Sequence, residues 1–251
     1  YTSRIITWIV TDANSDESGA GISTTDVTSI IELSTNNDKP ELTTTNGITT
    51  YTEDGTAAII DNSITISDVD DIELVSATVT ISSGFTAGDT LILESPGSLD
   101  TSFSNNELSI TGLALLSDYE IALQSITYKS SSEDPTKTTD TRIIDWQVTD
   151  ANSDGAGTAT SEIKQSTIEI TASIDKPIVT INPLTTTYPE NSNSITILNS
   201  ISISDADDDS LVSATVTISN GFTAGDTLIL ESPGSLDTTF RSLSVFKTSS
   251  E

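Results

Sequence analysis

Carboxylates are the chemical resource of this chain. Its 251 residues hold 38 Asp and Glu against 9 Lys and Arg, a formal charge of −29, with no His, Cys or Met. The acids are grouped. Glu53 lies in YTED and Glu190 in YPEN; Asp68, Asp70 and Asp71 lie in SDVDD, and Asp205, Asp207, Asp208 and Asp209 in SDADDD. Asp12, Asn14 and Asp16 form TDANSD, which returns as Asp150, Asn152 and Asp154, while Asp38 and Asp175 each open a DKP tripeptide. Hard cations are bound by such oxygens. Calcium takes about six to eight of them, in a flexible geometry. A D-x-D at the end of a strand sets two carboxylates on the same side of a short loop, and a carboxylate in a linker adds a ligand from between domains. No thiolate or imidazole is present to select zinc or copper. No glycine-rich phosphate loop with a lysine accompanies a magnesium site. Calcium is the expected ion. The competing role for Asp and Asn is turn formation, and it is the expectation for Asp16, Asp71, Asp154 and Asp209.

The same residues serve catalysis poorly. Carboxylate pairs hydrolyse glycosides in some enzymes, but here the conspicuous acids sit in duplicated motifs. No histidine or well-placed lysine activates the many serines and threonines. The chain is expected not to be an enzyme. A charge of −29 repels phosphate backbones and anionic lipid, so neither nucleic acid nor a membrane is an expected partner. No apolar run reaches the length of a membrane-spanning helix, and no secretion signal is read in these residues. Without cysteine there is no disulfide, so bound cations would be the stiffening device of an extracellular array.

The elements that must position these acids come in repeats. Residues 74–103 and 211–240 differ only at Ser83 against Asn220 and Ser102 against Thr239. RIITWIVTDANSD from Arg4 returns as RIIDWQVTDANSD from Arg142. The repeat is domain-sized rather than a solenoid unit. It divides the chain at the DKP sites: residues 1–37 form the C-terminal part of one repeat, 38–174 a complete one, and 175–251 the N-terminal part of another. After Phe240 the pattern breaks, and FKTSSE at 246–251 resembles YKSSSE at 128–133 instead.

Within the complete unit the pattern is strand. Alternation of apolar and polar residues marks 56–66, 74–81, 90–94, 108–111, 121–128, 142–149 and 163–172, with turn residues between them. In 74–81 strict alternation places Leu74 on the face opposite Val75, Ala77, Val79 and Ile81. Residues 113–123 could hold a short helix. Trp8 and Trp146 are expected to pack in the core, and Tyr51 and Tyr188 to plug a core or an edge. Ala87-Gly88-Asp89 reads as a turn. These features predict an all-β chain of two-sheet sandwiches.

The string YTEDGTAAIIDNSITISDVDD at residues 51–71 resembles the opening of a cadherin repeat, where a Tyr and an acidic motif precede a strand ending in D-x-D; its second copy reads YPEN at Tyr188. The DKP linkers resemble the Asp-containing linkers between cadherin domains, and the VTD closing RIIDWQVTD resembles the penultimate cadherin strand. The whole repeat is similar to the cadherin-like repeats of large bacterial surface proteins. That resemblance implies tandem Greek-key β-sandwiches, cadherin- or immunoglobulin-like, with calcium at the junctions: Glu53, Asp175, Asp205 and Asp207 at the one after the complete repeat, Asp38, Asp68, Asp70 and Asp150 at the one before it, and Glu190 at the next. The linker lacks the full D-x-N-D-N run. The implied role is a calcium-stiffened structural or adhesive filament at the cell surface. Its expected partners are neighbouring repeats or further copies of the chain, joined head to tail by strand complementation, with surface glycans as a further candidate. A carbohydrate- or ice-binding module is the alternative.

Overall fold

The computed structural model describes residues 3–22, 27–34, 36–153, 155–182, 185–198 and 200–231. Asp154 and residues 232–251, including the break after Phe240, lie outside this set. By internal packing the chain divides into two units, Tyr1–Asp207 and Asp208–Glu251.

The first unit is predominantly β. Its strands are β1 (Ser3–Trp8), β2 (Val27–Glu32), β3 (Glu41–Thr43), β4 (Ile48–Thr52), β5 (Ala58–Ile59), β6 (Thr65–Ser67), β7 (Glu73–Ser83), β8 (Asp89–Ile92), β9 (Asp100–Ser104), β10 (Glu107–Leu115), β11 (Thr127–Ser130), β12 (Thr141–Asp150), β13 (Lys164–Thr171), β14 (Ile178–Ile181) and β15 (Ile201–Ser204), with one helix, α1 (Leu116–Gln124). Strands β4-β13-β12-β7-β10-β9 form a six-stranded sheet and β5-β11-β8 a three-stranded one; β3-β6, β1-β2 and β14-β15 are two-stranded. One apolar core draws on both larger sheets and on α1, with Ile64, Val79, Ile110, Tyr128, Ile144, Trp146 and Ile168 among its buried members.

Strand β12 shows why the sequence makes this core. Each second residue of TRIIDWQVTD is buried, from Arg142 through Ile144, Trp146 and Val148 to Asp150. The side-chain period of a strand is two, so an apolar row flanked by two charges must bury all five. The Arg142 end is neutralised internally. Arg142 Nε donates to Asp89 Oδ2 at 2.6 Å, and Tyr128 Oη donates to Asp89 Oδ1 at 2.6 Å. The remaining guanidinium nitrogens donate to the carbonyls of Pro135 and Thr139. Burial and the adjacent Asp89 push the Tyr128 hydroxyl well above its ordinary pKa, so it stays a donor. Gly84, in a left-handed conformation, closes against this strand: a Cβ there would lie 2.0 Å from the Thr141 carbonyl oxygen.

Four expectations need correction. The strand read over 121–128 begins only at Thr127, because Ile121 to Gln124 belong to α1. Leu74 lies in the core together with Ala77, Val79 and Ile81. The alternation slips because the ladder pairs Thr149 with Ser76 and Asp150 with Leu74, leaving Val75 as a bulge. Trp146 is fully buried, but Trp8 is 56% exposed. Tyr51 is buried, while Tyr188 is 56% exposed. Trp146 and Tyr51 belong to the core shared by the two larger sheets and α1, and Trp8 and Tyr188 do not.

In the second unit, residues 211–218 repeat 74–81 letter for letter but join no ladder. A strand needs a partner to satisfy its backbone groups.

The buried Arg142–Asp89 pair gives a prediction. Arg142→Met leaves Asp89 as an uncompensated buried charge and should cost about 3–5 kcal/mol, read by urea unfolding. Adding Asp89→Asn should return part of the loss, since the stranded charge is removed. Equal stability of Arg142→Met and the parent would contradict this account.

Candidate metal centre

Strand direction builds the site. Strand β4 pairs with β13 in parallel, Thr52 facing Thr171, so both strands end on the same side of the sheet. Glu53 follows β4 directly, and its N–H donates to the Thr171 carbonyl at 3.0 Å. The chain leaving β13 then runs past it. Ser173 N–H donates to Glu53 Oε2 at 2.7 Å. Two residues later Asp175 N–H donates to Asp207 Oδ2 at 2.7 Å, and Asp207 N–H donates to Asp205 Oδ1 at 3.1 Å. The hairpin β14-β15 brings Asp205 and Asp207 back to this place.

Carboxylate oxygens of Glu53, Asp175 and Asp207 converge within 4.8 Å of one another, as do those of Asp54, Glu133 and Asp175. Asp175 is common to both groups. Three of the residues expected at this junction are therefore brought together, and Asp205 orients Asp207. Two members, Asp54 and Glu133, were missed by the sequence reading. Asp54 adjoins Glu53 in the YTED motif, which was the available signal; Glu133 sits in a serine-rich loop that offered none.

The arrangement suits a divalent cation on its own terms. Glu53 is buried, yet its Oε1 has no hydrogen-bond partner, and neither does the buried Oδ2 of Asp175. Buried anionic oxygens without donors are costly, and a cation supplies what the protein does not. All donors are oxygens, which fits a hard ion. Burial raises the pKa of Glu53 above the ordinary carboxylate range. The Ser173 N–H works against this, and the charges of Asp207, Asp175 and Asp54 add to it. Asp175 is raised by burial and then by Asp207, Asp54 and Asp205.

The opposite end of β12 carries the other expected group. Asn37 Nδ2 donates to Asp150 Oδ2 at 2.9 Å, and Ala159 N–H to Asp150 Oδ1 at 2.8 Å. Asp38 N–H donates to Asp70 Oδ2 at 3.1 Å, the same bond that links Asp175 to Asp207. Asp68 Oδ1 accepts from the N–H groups of Asp70 and Asp71, and Asp71 Oδ1 from Ser153 N–H. Left over are the buried Asn37 Oδ1, Asp68 Oδ2 and Asp71 Oδ2. Burial raises the pKa of Asp68. Asn37 was not among the expected ligands, and Asp71, expected as a turn residue, keeps a buried oxygen without a partner. Among the described residues, three carboxylates within 4.8 Å are found only at the Asp175 end. Glu190 is exposed in a turn and joins neither group.

The chain matches no protein-family model, no curated protein and no solved structure.

A pH prediction follows from the direction of the shifts. The folded chain holds protons on Glu53 and Asp175 at pH values where the unfolded chain has released them. Stability therefore falls as pH rises from the ordinary carboxylate range through the raised values, and the full cost remains at neutral pH. In chelator, mild acidification from neutrality should raise the melting temperature. With a millimolar divalent cation it should lower it, because protons then compete with the ion. Scanning calorimetry in both buffers checks this; parallel curves would refute it. Glu53→Gln should flatten the slope in chelator.

Proposed function

We infer that this chain is a calcium-stiffened segment of an extracellular, cell-surface rod or adhesive stalk, built from cadherin-like β-sandwich repeats. The single observation that carries the reading is the meeting of Glu53, Asp175 and Asp207 at the place where one repeat passes into the next. An ion there ties the end of β4, the linker and the first acidic loop of the following repeat. It converts a hinge into a joint.

Further features favour the sandwich. The sharing of one core by two sheets supports it, with β13 closing the larger sheet beside the early strand β4. The recurrence of the Asp38–Asp70 bond as Asp175–Asp207 supports a serial device at successive junctions. Calcium is favoured over magnesium because the donors come from loops of unequal reach, which suits a flexible, high-coordination ion. A noncatalytic role fits the duplicated acids, and bacterial surface arrays are the setting the repeat resembles. No helix among the described residues is long and apolar enough to cross a membrane.

Calcium titration tests the reading. An ion that binds only the native state stabilises it by about 2.7 kcal/mol at a hundredfold excess over Kd, so calcium should raise the melting temperature and chelator should reverse the rise. Small-angle scattering should show a narrower range of lengths with calcium. Asp207→Asn and Glu53→Gln should each weaken binding by at least about tenfold, the effect of about 1.4 kcal/mol. No heat of binding and no melting shift at millimolar calcium would end the proposal.

A further inference from the structure

The loop 131–140 joins β11 to β12 and carries Glu133. Lys137 Nζ, the cation of this loop, lies 3.8 Å from Asp134 Oδ2, and no salt bridge among the described residues reaches Glu133. The Glu133 carboxylate nevertheless comes within 4.8 Å of those of Asp54 and Asp175. Like charges that close repel one another. A free loop with an exposed glutamate would swing it away into solvent.

This loop is not free. It is tied to buried groups on both sides of Glu133. On the N-terminal side, Tyr51 Oη donates to the Ser130 carbonyl at 3.0 Å, and Ser131 N–H donates to the Gly88 carbonyl at 3.1 Å. Tyr51 is buried, with its ring edge-on to Tyr128 at a centroid distance of 5.1 Å. On the C-terminal side, Arg142 Nη2 donates to the Pro135 carbonyl at 2.7 Å, and Asp89 holds Arg142 in turn. Between these ties Ser132 N–H donates to Ser130 Oγ, and Asp134 N–H to Ser132 Oγ, both at 3.2 Å. Gly88 has a left-handed φ of 108°, and a Cβ there would lie 2.8 Å from Ser132 N, the residue before Glu133. Gly88 and Asp89 are consecutive, so one turn grips the loop before and after Glu133.

We propose that Glu133 is a ligand of the cation site at Asp175, and that Tyr51, Gly88 and Arg142 are positioning residues that hold it there against the repulsion of Asp54 and Asp175. The inference rests on the cation reading given above and adds members to that site. The site itself stands on more than a gathering of acids, since Glu53 is 4% exposed and keeps Oε1 without a partner, as Asp175 keeps its buried Oδ2. Folding then assembles the like charges before an ion arrives, and a ligand set held in its bound arrangement binds more tightly than one that must be gathered. Strand β4 serves the site twice. Its buried Tyr51 fixes the loop of Glu133, and its end presents Glu53 and Asp54.

Calorimetric titration of the whole 251-residue chain with calcium tests this, with melting in chelator measured alongside. Glu133→Gln should weaken calcium binding about tenfold, which is about 1.4 kcal/mol, and should raise the melting temperature in chelator by removing one of three crowded charges. Tyr51→Phe keeps the ring and loses the bond to Ser130. It should also weaken binding about tenfold, the ordinary effect of losing an outer-shell partner, and should lower the melting temperature in chelator. Gly88→Ala should act in the same direction; where it fails to fold, Tyr51→Phe carries the test. In the Glu133→Gln background, Tyr51→Phe should leave calcium affinity unchanged, because its effect on the ion passes through Glu133. Parental affinity in Glu133→Gln, with Glu53→Gln weakened, would overturn this inference and leave the stiffening intact. An equal loss of affinity from Tyr51→Phe in both backgrounds would overturn it too. A parent chain that binds no calcium removes both proposals.

Discussion

Strand β4 runs parallel to β13, and the gathering of carboxylates around Asp175 depends on that direction. Were the pair antiparallel, Glu53 would emerge at the far end of the sheet, beside Asp150, and the linker residue Asp175 would have no carboxylate to meet. Parallel pairing is otherwise absent from the ladders of the described residues. A parallel pair requires a long connection, and here that connection is nearly the whole domain. The cation-competent site is thus a consequence of global topology, although each of its ligands is a short loop residue.

The two ends of β12 face the same difficulty and resolve it differently. Both carry a buried charge, Arg142 and Asp150. At one end Asp89, Tyr128 and two carbonyls absorb the guanidinium within the protein. At the other, Asp150 takes donors from Asn37 and Ala159, while neighbouring Asp68 and Asp71 keep oxygens without partners. The first is a closed network that fixes the core. The second leaves buried oxygens with no hydrogen-bond partner.

Much of this was legible in the residues. Asp175 and Asp207 were visible because each sits in a short acidic motif, DKP and D-x-D, that can be read locally, although the loops that bring them to Glu53 are far apart in sequence. The Trp146 core followed from alternation. Asp89 was read only as a turn residue, since its role comes from Arg142, 53 positions away. Glu133 was invisible for the same reason: its partners, Asp54 and Asp175, arrive from other loops.

The sequence by itself determined the repeat, the strand-forming pattern and the oxygen-only donor set of the acidic clusters. It could not decide which copies of a segment pair into a sheet. Residues 74–81 and 211–218 are identical, yet only the first lies in a sheet. Alternation gives a segment the capacity to bury one face, but burial and backbone pairing are supplied by other strands. Only the tertiary structure, through the presence of β10 and β12 beside β7, turned that capacity into a core.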